Sequence, residues 1–254
     1  MQFSRSISNL IRPHKLTVWP VPEKWSLEDA ATVPSAYFTV FYAFFYFGRL
    51  RKGEKVLIHS GSGAVGQAAI NVALAENCEV FTTVGTPEKR KFIRETFPSI
   101  DDDHIGNSRD TSFEQMVMRQ TRGKGVDIVL NSLAEDKLQA SVRCLGYRGR
   151  FLEIGKFDMS VNNQLGLDIF LKEISFHAVI LDAIIFGHKR NVQEEIHHFI
   201  NKQMAERNVK PLVRKCFEKN QLEEAFRYMA AGKHIGKVNR RYLPSIDDDD
   251  KSRK

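Results

Sequence analysis

Cysteine is scarce in this chain: three occur among 254 residues, far apart at Cys78, Cys144 and Cys216. No CxxC pair and no Cys/His spacing of a metal site occurs, so a disulfide framework is excluded and no metal is expected. Reduced thiols and a cytoplasmic setting are the reading. Long apolar runs are missing as well. The most apolar stretch, 36–47, falls short of the ~20 residues that cross a bilayer. It also carries hydroxyls, so a buried helix is expected and no membrane partner. Blocks of like charge are absent through the body of the chain. The net charge is +7, yet 38 Lys and Arg are interspersed with 31 acidic residues. That is not the footprint of a nucleic-acid binder; a general attraction for phosphorylated cofactors and acyl carriers is the simpler consequence. No internal repeat is visible.

What is present is an ordinary globular composition, 42% hydrophobic and 27% charged, in a chain long enough for one large domain. Residues 1–22 contain three prolines and no periodicity. Before Glu23, the first acid, the chain carries Ser and Arg as a transit peptide does, and 1–22 is expected to be an unmatched leader. Ser26-Leu27-Glu28-Asp29 offers a capping box, followed by a helix that Pro34 should interrupt or kink and an aromatic run, 37–47, that stays helical to Gly48. Strands and helices then alternate. Strands are predicted over 55–59, 79–84, 126–131, 150–154 and 174–181, and helices over 67–76, 87–96, 113–121, 137–144, 192–205 and 222–231. Such alternation implies α/β architecture, a Rossmann-type doubly wound parallel sheet with right-handed crossovers, over 23–238. The charged stretch 239–254 is expected to be disordered.

Gly61-Ser62-Gly63-Ala64-Val65-Gly66 is GxGxxG, a weak signal alone. Between a strand and a helix it becomes a dinucleotide fingerprint. Gly61 permits the tight turn, Gly63 close approach to a pyrophosphate, and Gly66 packing of helix on strand. The helix N-terminus offers free N–H groups to the phosphates. The next strand ends in Gly85-Thr86-Pro87-Glu88-Lys89-Arg90-Lys91, where a binder of NAD usually has an acid for the ribose; a cationic cluster suits the 2′-phosphate of NADPH, with Lys89 the first choice. A solvated first helical turn is the plain alternative. Further candidates sit at carboxyl ends of strands: Asn131 and Ser132 to line the nicotinamide ribose, and Lys156 and Asp182 as an acid and its companion.

LIHSGSGAVGQAAI (57–70), VFTTVGTPEKR (80–90), NSRDTSFEQ (107–115), GKGVDIVLNSLAEDKLQASVRCL (123–145), GRFLEIGKFD (149–158), FHAVILDA (176–183) and EEAFRYMAAGKHIGKV (223–238) closely resemble the animal-type fatty acid synthase. The resemblance is to its zinc-free enoyl-reductase region, of the medium-chain dehydrogenase/reductase family. It implies an NADPH-dependent enzyme reducing trans-2-enoyl thioesters on an acyl carrier. Lys156 would be the proton donor and Asp182 its companion. Thr39, in the helix YFTVFYA, would lie near the nicotinamide. Ser60, Ser62, Ala64, Val65, Thr83, Arg90, Ser108, Arg109, Leu133 and Gly155 would complete the cofactor surface. A homodimer joined through sheet edges is also implied. The family carries a GroES-like barrel before the Rossmann unit, of which only remnants are expected here, so the chain reads as a fragment. An inactive NADPH-binding or dimerisation fragment, and a zinc-free quinone or enone reductase, remain as alternatives.

Overall fold

The computed structural model describes residues 15–185 and 190–241. Six strands form its main sheet: β1 (Lys55–Ile58), β2 (Glu79–Val84), β3 (Ile105–Asn107), β4 (Val126–Asn131), β5 (Leu145–Glu153) and β6 (Ser175–Ala178). Their order is β3-β2-β1-β4-β5-β6, and every pairing is parallel. The strands step outward from β1 to β3, then return across β1 to begin the second half at β4. That reversal opens a crevice at the carboxyl ends of β1 and β4, where the Rossmann order binds its ligands.

Strand residues divide between the two faces with a period of two. Val56, Ile58, Ile128, Leu130 and Leu152 pack on one side; Leu57, Phe81, Val129 and Phe151 pack on the other. Burial of both faces is why these strands read as continuous apolar runs. Helices α2 (Ala64–Ala75), α3 (Pro87–Thr96), α4 (Ser112–Gln120) and α5 (Asp136–Arg143) link them.

Ser26 caps α1 (Leu27–Phe41): its Oγ accepts the Asp29 N–H and Asp29 Oδ2 accepts the Ser26 N–H, each at 3.0 Å. Pro34 does not interrupt this helix, which continues through a π-helical turn, Tyr42–Phe47. Packing overrides the missing N–H: Val33, Tyr37, Phe38, Val40 and Phe44 are all buried. The Tyr37 hydroxyl donates to the Lys210 carbonyl (2.9 Å) and accepts from Asn71 Nδ2 (3.1 Å). The helix 27–47 is therefore longer than the apolar stretch alone predicts, and long and apolar enough to cross a membrane by length and composition; here its side chains form part of a protein core.

Other boundaries moved for local reasons. The predicted strand 174–181 ends at Ala178, and Leu181 opens a short helix, α7 (Leu181–Ile185), because periodicity cannot separate a short buried strand from a buried helix. A four-residue helix, α6 (Phe157–Ser160), lies between β5 and β6, and α8 (Arg190–Ala205) follows α7. Within the expected leader, Thr17 and Trp19 are buried and the Trp19 ring stacks on His197 of α8, so 15–22 belongs to the folded body; 1–14 lie outside the described residues. Strands β7 (Arg214–Phe217) and β8 (Lys237–Arg240) pair in a separate two-stranded sheet, with α9 (Leu222–Ala230) between them. Asn239 and Arg240, expected in the tail, are thus strand residues; 242–254 lie outside the described residues.

His59, directly after β1, is buried between the two halves of the sheet. Ser141 Oγ donates to the Lys137 carbonyl at 2.6 Å, which leaves Ser141 to accept from His59 Nε2 (2.8 Å) and Thr83 Oγ1 to donate to Nδ1 (2.9 Å). Burial pulls the imidazole down to a pKa of about 3. The unfolded chain takes up a proton near pH 6.5 that the folded chain refuses until about pH 3, so stability is lost as pH falls through that window. By pH 5 this residue should cost about 2 kcal/mol. In His59→Asn the difference in unfolding free energy between about pH 7.5 and about pH 5, from urea denaturation, is expected to shrink by about that amount; an unchanged difference would show that another group titrates.

Candidate functional site

The turn after β1 is compressed against its neighbours. Ser60 takes the left-handed conformation (φ 56°), so the sharp bend is made there and not at Gly61. Gly61 is needed for a different reason: a Cβ on it would overlap Thr82 Oγ1 of β2. A Cβ on Gly66 would overlap the Ser60 carbonyl and the Gly61 backbone, which is the close packing of helix on strand that the motif implies. Gly63, in extended conformation, is the N-cap of α2. The helix therefore begins three residues earlier than predicted, with its first internal bond from Gln67 N–H to the Gly63 carbonyl (2.9 Å). The amides of Ala64, Val65 and Gly66 have no acceptor within the helix and stand at its positive end, a natural seat for a pyrophosphate.

A segment that sequence reasoning left unassigned straps this turn. Gly236 N–H donates to the Ser62 carbonyl (2.8 Å), and Gly63 and Gly236 form a parallel bridge. Gln67 ties the strap down, donating to the Ser62 carbonyl (2.8 Å) and accepting from the Val213 N–H (3.1 Å). Gly236 has φ +72°, and a Cβ there would overlap the Val213 carbonyl, so the HIGKV glycine was the available signal. Beside the strap lies a cavity of about 480 Å³ lined by Ala64, Val65, His234 and Lys237. Burial lowers the Lys237 amine, and no carboxylate pairs with it among the described residues. A lysine in that state, next to the first-turn amides of α2, fits a phosphate.

The predicted cationic cluster resolves into two parts. Lys89 Nζ donates to the Gly232 carbonyl (2.7 Å); burial and then the neighbouring Arg109 lower its amine. Arg109 follows β3 and lies over Gly85, whose absent Cβ would stand 2.7 Å from Arg109 Nε, and Ser108 is bonded to the end of β2 through the Val84 carbonyl (3.0 Å). Two cations side by side suit a phosphate between them. Arg90 turns away. Its guanidinium donates to Asp102 Oδ1 (2.9 Å), the Asp102 carbonyl (2.7 Å) and the Ile105 carbonyl (2.5 Å), which commits it to anchoring α3 to β3. Thr83 is likewise taken up, fully buried against His59, and cannot reach a ligand. Thr39 is buried, with its hydroxyl donated to the Ser35 carbonyl (2.8 Å) of its own helix.

At the ends of β4 and β5 the remaining candidates converge. Ser60 and Ser132 hydroxyls are 3.1 Å apart across the crevice mouth. Asn131 is buried and bonded to Leu133. Lys156, just past β5 through Gly155, extends its Nζ to Asp182 Oδ2 at 2.6 Å, although Asp182 sits in the first turn of α7 and not at the strand end. Both side chains are mostly exposed, 60% and 63%, where an ion pair adds little stability. The pair holds an ammonium at a set point beside the crevice.

The sequence profile of the zinc-binding dehydrogenase family matches residues 101–238. The squalestatin tetraketide synthase of Phoma sp. (strain C2932) is 40% identical over 233 residues, 91% of this chain and 9% of that protein; the chain thus spans about a tenth of such relatives. The CurK enoyl reductase superposes with a TM-score of 0.76 at 31% identity, over 89% of this chain and 66% of the other. The nucleotide-binding subdomain of the enoylreductase domain of PpsC from Mycobacterium tuberculosis superposes with a TM-score of 0.63 at 34% identity, over 70% of this chain and 96% of the other. The family description names zinc; among the described residues no group of three or more His, Cys, Asp or Glu side chains is placed to hold a metal ion. In Lys89→Ala, NADPH affinity measured by fluorescence titration is expected to fall about tenfold with NADH affinity unchanged, as one charge-assisted phosphate contact is lost; equal losses for both cofactors would place Lys89 away from the 2′-phosphate.

Proposed function

The chain belongs to the zinc-binding dehydrogenase family, as an enoyl-reductase domain, and on that premise we propose that it reduces trans-2-enoyl thioesters held on an acyl carrier, with NADPH as reductant. The observation that carries this reading is the Lys156–Asp182 pair at 2.6 Å, on the same edge of the sheet as the glycine turn.

The amides of Ala64, Val65 and Gly66 with Lys237 would hold the pyrophosphate, and Lys89 with Arg109 the 2′-phosphate. When bound, the reduced nicotinamide supplies a hydride to the β-carbon of the enoyl thioester. Lys156 would give its proton to the α-carbon, and Asp182 would orient the ammonium. Ser132 and Leu133, beyond the end of β4, would line the cofactor's ribose.

The sequence words resemble those of fatty acid synthase, whereas the similar protein described above is a tetraketide synthase. Comparing a straight with an α-methyl enoyl thioester separates them: preference for the straight chain supports the fatty acid assignment. β6 is one of the two edge strands of the sheet, and the exposed Leu167 and Leu171 lie close before it in sequence, which supports pairing with a second copy; sedimentation should show a dimer.

Lys156→Ala is expected to slow reduction of a crotonyl thioester by about a hundredfold while leaving NADPH affinity within about twofold. Loss of cofactor binding instead would make Lys156 a binding residue. Turnover of free quinones without any thioester activity would favour the quinone-reductase alternative, and cofactor binding without turnover of either the inactive-fragment one.

A further inference from the structure

One buried carboxylate joins the ends of β4 and β5. Glu153 closes β5 and is 3% exposed. Its Oε2 accepts from Asn131 Nδ2 and its Oε1 from the Gly155 N–H, both at 2.5 Å. A Cβ at position 155 would stand 2.7 Å from that same Oε1, so the glycine lets the carboxylate reach the turn. The Asn131 amide cannot flip to help, because its Oδ1 accepts the Leu133 N–H (3.2 Å) and its Nδ2 also donates to the Leu133 carbonyl (2.7 Å). Both partners of Glu153 are therefore donors. The ionised carboxylate accepts at each oxygen and makes both bonds at charge-assisted strength. A proton removes the charge and one acceptor site, which weakens both bonds and loosens the turn they hold.

The surroundings favour that proton. The cavity beside Glu153, about 560 Å³, is lined also by Glu135 and Asp158 and by no Lys, Arg or His. Burial, with Asp158 adding, raises the Glu153 carboxyl to about 7, against the lowering effect of Asn131 and Gly155. Other charges nearby are committed elsewhere. Lys156 is paired with Asp182, and in α5 Asp136 is paired with Lys137. Asp158 accepts from the Glu135 N–H (3.1 Å) and from Asn163 (2.7 Å). His177 of β6 is in register with Leu152 and not with Glu153, which faces Ala178.

We propose that Glu153 is a positioning residue: as a carboxylate it clamps the Asn131–Leu133 turn to Gly155 and so aims Lys156, and protonation loosens the clamp. The kinetic part rests on the enoyl-reductase reading; the clamp itself does not.

Amide spectra of the full chain from about pH 5.5 to about pH 8.5 test the clamp directly. The Gly155 N–H and the Asn131 side-chain NH₂ are expected to shift together with one midpoint near neutrality, and to lose that dependence in Glu153→Gln. A flat Gly155 resonance in the unaltered protein overturns the clamp. With NADPH and a crotonyl thioester, Glu153→Gln should lower kcat about tenfold, as misplaced reacting groups do, and lose the neutral-pH inflection. KM and NADPH affinity should stay within about twofold. Glu153→Asp should restore the inflection with partial activity, and it serves as the readout should the Gln variant fail to fold. Wild-type kcat and pH profile in Glu153→Gln overturn the positioning role. Absence of turnover in the unaltered chain counts against the reductase reading alone, while the amide titration still decides the clamp.

Discussion

Two glycines with no room for a methyl group bring the turn after β1 down onto β2 and seat helix α2 against it. At Gly61 the obstacle is Thr82 of β2, and at Gly66 it is the Ser60 carbonyl. Because both contacts involve backbone or a buried side chain, neither can relax by moving a surface rotamer. From this crowding follow the early start of α2, the placement of its first-turn amides and the position of the crevice. A third glycine, Gly236, locks the outer side of the turn from the far end of the chain.

Charge is sorted along the carboxyl edge of the sheet. Lys89, Arg109 and Lys237 gather around the ends of β2 and β3 and the start of α2, and Lys89 and Lys237 are lowered by burial. Glu135, Glu153 and Asp158 share the cavity at the ends of β4 and β5. A long ligand with phosphates at one end and an uncharged reactive ring at the other is oriented by such a gradient before any specific contact forms. The exposed Lys156–Asp182 pair belongs to neither group and adds little to stability, which leaves its placement as its physical consequence.

Burial at the site stores tension as well as order. Burial keeps His59 neutral, and it disfavours the charge of Glu153 against the two donors that call for it. The two act in opposite senses. The depressed His59 destabilises the fold as pH falls below the ordinary histidine range, whereas the raised Glu153 carboxyl withdraws stability as pH rises through neutrality. His59 follows β1 and Glu153 ends β5, both buried at the carboxyl edge of the sheet, so their titrations bear on the crevice and not on the surface.

The α/β alternation, the glycine turn and the strand-end candidates were legible in the sequence, because they depend on local patterning: apolar period, glycine spacing, and charge just past a strand. The same patterning placed Lys156 and Asp182 as candidates, though not within 2.6 Å of each other. What only the tertiary structure decided involves partners far apart in the chain. Arg90 is spent on Asp102 and Ile105, Thr83 and Ser141 on the two ring nitrogens of His59, and the turn at 61–66 is strapped by Gly236 and Gln67. Pro34 is absorbed by a helix whose burial outweighs a lost hydrogen bond. Sequence pattern reports which face a residue prefers; which long-range partner claims its donors depends on how the elements meet, and that is settled only when they pack.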